Sequence, residues 1–171
     1  MAAFSTDESE WQRLDLRLLQ NSPVALYFRP EVLNEDVVQL RSVGYGIDDF
    51  DCTLWRTDSD FHADISARLA FPSYYGRNLD AFNDCIGEIE IPESAGRAIV
   101  FRRFDLFAQR EPGVAQDILD IMASTSWHFL LFGRRLLTIA QSDDPAIAFA
   151  SVGAHPVMWN PREWLNKNRG L

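Results

Sequence analysis

Phe71-Pro-Ser-Tyr-Tyr-Gly-Arg-Asn-Leu-Asp-Ala-Phe-Asn-Asp-Cys85 is the stretch whose reading decides how this chain of 171 residues folds. It joins an aromatic loop to a helix that carries two aspartates. Pro72 discourages the helical conformation in Phe71 and so ends the preceding helix, and Gly76 supplies a positive φ that Tyr75 could hold only with strain. Asn78 is an N-cap, its side-chain oxygen accepting an otherwise unpaired N–H of the first turn, so the helix starts at Leu79.

On that helix Asp80 lies in the first turn, where the positive end of the dipole favours a carboxylate, and Asp84 follows four residues later on the same side. Leu79, Phe82 and Ile86 recur at i, i+3 and i+7 and supply the inward face. Two like charges so spaced repel by roughly 0.2–0.5 kcal/mol. From the pair alone two readings stand. Asp80 is a dipole-matching residue and Asp84 a solvated charge, or both are kept to meet a cationic surface. Tyr74 and Tyr75 are likewise half-buried core or contact residues.

The ordered string Pro-x-Tyr-Tyr-Gly-x-Asn-Leu-Asp-Ala-x-x-Asp-Cys, from Pro72 to Cys85, resembles the barstar family, intracellular protein inhibitors of barnase-type ribonucleases. Leu69-Ala70 just before it and the later order of strand, helix and strand fit too. The resemblance extends from about Gly46 to Gln141 and is most specific in the central motif. It implies a barstar-like α/β fold, a small parallel sheet covered by helices, and an inhibitory loop and helix formed by Tyr74, Gly76, Asn78, Leu79, Asp80 and Asp84. In the family the carboxylate matching Asp84 takes the place of a substrate phosphate among Arg, Lys and His side chains, with Asp80 as a second contact. The implied partner is a basic ribonuclease, extracellular or a toxin. A ribonuclease gathers positive charge to hold RNA, and a complementary acidic surface speeds encounter and fixes register.

The chain departs from the family at Asn83, where the family carries tryptophan, and in Gly87-Glu88-Ile89, which lacks the family's aromatic contact. A further acid expected on the later helix falls between Ser124 and His128, where no acidic residue stands. These departures imply a changed partner surface. A second reading is therefore kept, an interaction module of the same fold whose partner is not a nuclease.

Composition bounds the alternatives. With 16 basic and 25 acidic residues the formal charge is −9, which argues against sequence-independent nucleic-acid binding. Cys52 and Cys85 are too few for a disulfide scaffold, have no zinc spacing, and read as buried small hydrophobes. No P-loop, dinucleotide glycine fingerprint, Gly-x-Ser-x-Gly elbow or His-Glu-x-x-His occurs, and His62, His128 and His155 are scattered. Asp80 and Asp84 could hold magnesium in a hydrolase, but the chain shows no cationic surround for substrate phosphates. The expectation is a binding protein without catalytic residues, cofactor, metal or membrane span. The acids near Met1 break any signal-peptide core, so a cytoplasmic location is expected. Nothing in the sequence sets an oligomeric state.

Along the chain, strands and helices alternate. A helix is expected over Trp11 to Leu19, a strand over Pro23 to Phe28, and a helix capped by Asn34 and ended by Gly44. Phe50, Cys52 and Leu54 alternate with Asp51 and Thr53 as a half-buried strand. Asp58 or Ser59 opens a helix with Phe61, Ile65 and Leu69 inward. Ala98 to Phe101 reads as a central strand, Pro112 opens a helix bearing Val114, Ile118, Ile121 and Met122, and Leu136 to Ala140 is the next strand. Beyond it come Ala146 to Ala150, Val157 to Trp159, and a terminal helix started by Asn160-Pro161-Arg162-Glu163. The terminal pieces are read as additions packed on a single domain spanning residues 1–171, since no linker-like tract separates them.

Overall fold

The apolar run at the centre of the chain forms an interior strand of a five-stranded sheet in the computed structural model, which describes residues 12–92 and 95–171. In chain order the strands are β1 (Val24–Tyr27), β2 (Gly46–Asp51), β3 (Arg97–Arg102), β4 (Leu136–Gln141) and β5 (Met158–Trp159). Their spatial order is β2-β3-β4-β1-β5, and every pairing is parallel. β3 and β4 are buried on both faces, as continuous apolar strands in a parallel sheet must be.

Two helical layers cover the sheet. On one face, α1 (Leu14–Asn21) and α2 (Pro30–Ser42) bring Leu18, Leu19, Leu33, Val37 and Leu40 onto Tyr27, Val100 and Ile139. On the other lie α3 (Asp58–Arg68), α4 (Leu79–Ile86), α5 (Phe104–Arg110) and α6 (Pro112–Leu131). Their core is aromatic: Trp55 meets Phe61, Phe101 and Phe107 edge-on at centroid distances of 5.2, 5.5 and 5.4 Å, the geometry ring quadrupoles favour. The α/β class and the parallel sheet agree with the sequence reading, and β1 and β5 join the same sheet as the family-like strands.

Local expectations fail where side chains redirect the backbone. The strand read through Leu54 stops at Asp51, whose carboxylate accepts from the Thr53 N–H at 3.1 Å and the Thr53 hydroxyl at 2.6 Å. That local bond turns Cys52–Leu54 into a 3-10 turn and leaves Leu54 exposed. Helix α2 starts at Pro30, not at Asn34, because proline suits the first helical position. Trp11 lies outside the described residues, and the first helix begins at Leu14. α5 was not expected; it is a short helix held by buried Phe104 and Phe107.

No terminal helix forms from Asn160. Asn160 caps only one turn, its side chain accepting the Arg162 N–H at 3.0 Å, while Glu163 turns fully inward. Arg169 then donates to the carbonyls of Glu163, Trp164 and Pro145, and only a 3-10 turn, Asn166–Arg169, follows. Carbonyls needed for a helix are already taken. Residues 146–150 are irregular too, tied to α6 by Gln116, whose amide group bonds both the N–H and the carbonyl of Ala150.

Candidate partner-binding site

The site is built from the end of α3, the loop 69–78 and α4. α3 is opened by a capping box in which Thr57 and Asp60 satisfy each other's backbone donors. It ends at Arg68, earlier than Pro72 requires. Ala70 takes a φ of 53°, and the Phe71 N–H returns to the Ser66 carbonyl at 2.9 Å, the six-to-one bond of a Schellman close. Pro72 begins the next turn instead, its carbonyl accepting the Tyr75 N–H at 2.9 Å.

The positive φ expected at Gly76 belongs to Arg77, at 51°. Gly76 serves a close approach: a Cβ there would lie 3.2 Å from Asn78 Nδ2 and 3.5 Å from the Ala81 Cβ. Asn78 behaves as its position predicts. Its Oδ1 accepts the Ala81 N–H at 2.8 Å, and α4 begins at Leu79. Phe82 and Ile86 are fully buried, Cys85 nearly so, and half-buried Leu79 packs on the same core. Burial of Phe82 alone is worth roughly 1.5–3 kcal/mol. α4 also leans on α6, so the opposite face is held out to solvent on a fixed support.

That outer face carries Asp80, Asn83 and Asp84, all exposed. Neither carboxylate makes a hydrogen bond or salt bridge to another described residue. Tyr74 stands 78% exposed at the loop tip, whereas Tyr75 is buried. The two tyrosines therefore divide the alternatives left open by the sequence: Tyr75 is core and Tyr74 is surface. Gly76 and Asn78 are exposed beside them. The predicted residues thus lie along one continuous loop and helix N-terminus.

Sequence reading had set His62 aside as one of three scattered histidines. It lies beneath this loop, with Nδ1 in hydrogen-bond contact with the Tyr75 hydroxyl. Burial pushes its pKa down, with Asp58 opposing and Arg77 reinforcing the shift. Burial pushes the Tyr75 phenol up, so it stays protonated. Only the spacing of His62 ahead of the aromatic loop could have signalled this contact. Cys85, on the inward face of α4, has its thiol pKa raised by burial and by the Glu88 and Asp84 carboxylates.

On the departing positions, Ser124–His128 lies within α6, where Thr125 and Ser126 are buried. Among the described residues no cluster of three or more His, Cys, Asp or Glu could hold a metal. No described helix is long and apolar enough to cross a membrane.

The "Putative ribonuclease inhibitor YrdF" of Bacillus subtilis (strain 168) is 36% identical over 62 residues, which are 36% of this chain. The match spans 64% of that relative's length. The family model described as Barstar (barnase inhibitor) matches residues 47–140, from the second residue of β2 to the last but one of β4. With the capped α4 and the parallel strands on either side of it inside that range, this chain belongs to the barstar family.

Proposed function

We propose that the chain is a ribonuclease inhibitor that places the acidic face of α4 in the phosphate-binding site of a barnase-type or related nuclease. The observation that carries this reading is the pair Asp80 and Asp84, exposed and without a salt bridge to any described residue, four apart on a capped helix beside exposed Tyr74. Carboxylates held this way are pre-organised for guanidinium and ammonium groups, and charge-assisted bonds to Arg are short and often bidentate. Tyr74 supplies a rigid amphipathic contact at the rim, Leu79 the apolar edge, and Gly76 and Asn78 the shape that lets a partner approach. Asn83, smaller than the family's tryptophan, leaves room for a different partner contour. The partner is a basic ribonuclease, a toxin or secreted enzyme, against which the chain acts as an immunity protein in the cytoplasm and not as an enzyme.

Affinity capture on the immobilised chain, followed by a ribonuclease assay on the bound fraction, tests the reading. Calorimetry with the recovered nuclease should show Asp84→Ala weakening binding by about 2–4 kcal/mol, the range of a central hot spot. Unchanged affinity in that variant would sink the proposed mode. A second reading, a non-nuclease partner, is favoured by Asn83 and by the absence of an acid between Ser124 and His128. Capture of a partner without ribonuclease activity would select it.

A further inference from the structure

The exposed loop has little of its own to hold it. Between Phe71 and Asn78 the backbone is closed by the Phe71 bond to Ser66 and the Tyr75 bond to Pro72, and Ser73, Tyr74, Gly76, Arg77 and Asn78 are all exposed. Tyr75 is the buried side chain of the segment. Its ring packs edge-on against Phe71 at 5.0 Å and tilted against His62 at 5.8 Å, and its hydroxyl meets His62 Nδ1. His62 in turn is 1% exposed on α3 and lies 4.9 Å from the Phe61 ring.

We infer that His62 is a positioning residue for partner binding: through Tyr75 it locks the 71–78 loop, and acidification releases the loop and weakens the complex. This inference rests on the loop being the partner surface proposed above.

The proton arrangement gives the lock its sign. A protonated phenol donates to Nδ1 only if the imidazole is neutral with its hydrogen on Nε2. A proton added at Nδ1 would reverse that bond, leave the phenol hydrogen without its acceptor, and place a cation in a site with almost no water. The charged and titratable groups facing the pair are Asp58 from α3, Arg77 from the loop and Cys85 from α4. Only Asp58 favours the imidazolium. A cationic partner docking over Arg77 and Asp80 adds to the opposing field, so by reciprocity binding and protonation of His62 each disfavour the other.

The test uses the free full chain first. The imidazole shifts of His62 are followed by NMR from about pH 7.5 to about pH 4.5, with hydrogen exchange at the Tyr75 amide, the loop N–H that bonds a backbone carbonyl. His62 should titrate below the ordinary value of about 6.5, and loop protection should fall about tenfold as it does so. Tyr75→Phe keeps the ring and removes the bond; its loop should exchange about tenfold faster at pH 7.5 and respond little to acid. His62→Gln, which retains an acceptor and does not titrate, should keep the loop protected across the range. Loop protection indifferent to His62 titration, or wild-type behaviour in Tyr75→Phe, would overturn the inference.

The second arm measures affinity for the nuclease recovered by capture. Wild type should lose about two- to fivefold more affinity than His62→Gln between about pH 7.5 and about pH 5.5, since a site titrating below about 6.5 supplies less than about tenfold over that range. Equal pH profiles would refute the linkage to binding. A loop that obeys the first arm in a chain that binds no nuclease would instead refute the proposed function, so the two failures are distinct.

Discussion

Glu163 accepts the backbone N–H of Arg29, the residue before α2, across 134 positions of sequence at 2.9 Å. The same fully buried carboxylate takes the Phe28 N–H at 2.8 Å, the Asn160 side-chain amide at 2.6 Å and the Arg29 guanidinium at 3.1 Å. Arg29 offers α2 no side-chain cap of its own, and a carboxylate from the far end of the chain sits at that helix start instead. Arg162, its neighbour, binds Asp36 and the Val32 carbonyl on the same helix.

Glu163→Ala should therefore cost about 2–3 kcal/mol in urea unfolding at neutral pH, because it takes the acceptor from the Phe28 and Arg29 N–H groups and from the buried Asn160 amide. Burial alone would raise the Glu163 pKa, but the donors from Phe28, Arg29 and Asn160 outweigh it and hold the group below its ordinary value of 4.5. A carboxylate with a depressed folded-state pKa contributes stability above its unfolded pKa and loses it as pH falls through the folded one. The wild type should thus show an acid limb beginning below about pH 4.5 that is shallower in Glu163→Gln.

Asn78→Ala removes the Oδ1 that accepts the Ala81 N–H. The expected loss is about 1 kcal/mol of stability, read by thermal or denaturant unfolding. Asn78→Asp should retain most of it, since Asp caps as well as Asn.

Ala70→Gly should stabilise the chain by about 0.5–1 kcal/mol, opposite in sign to most substitutions. Ala70 is exposed, with a φ of 53° at the close of α3, so glycine relieves the left-handed conformation without emptying a packed site. A chemical-denaturation midpoint lower than wild type would contradict this account.

Cys52 and Cys85 are both buried, and burial raises both thiol pKa values, helped at Cys52 by Asp51 and Asp64. Neither should react with a thiol-exchange reagent in the native protein at mildly alkaline pH. Both should react at once on unfolding.

What could be read from the sequence was what the chain decides within a few residues. The Asn78 cap, the α4 core face of Phe82 and Ile86, and the central strand at Ala98 to Phe101 all follow from bonds or periods no longer than two helical turns. Errors came where local signals competed. The Asp51 carboxylate outbid strand alternation at Cys52, and proline at Pro30 outranked Asn34 as a helix start. The terminal helix failed for a tertiary reason: Glu163 is committed to α2, and Arg169 to the carbonyls that a helix would have used. The residues proposed as the partner surface stand out in the sequence as an ordered motif. Their support by His62 does not, because that contact depends on how α3 closes and turns the loop back over it.

The place of β1 in the sheet has a consequence for how the chain acquires its shape. Val24 pairs with Thr138 and Leu26 with Trp159, so both neighbours of this early strand are supplied by the last third of the chain. During synthesis at ~5–20 residues per second, β1 must wait on the order of ten seconds, its edges unpaired, until β4 emerges. The family-like segment from β2 to β4 can meanwhile pair in sequence order, each strand with the next. Closing the sheet around β1 is the long-range, entropically slow step. The α4 surface belongs to the segment that can assemble before that closure.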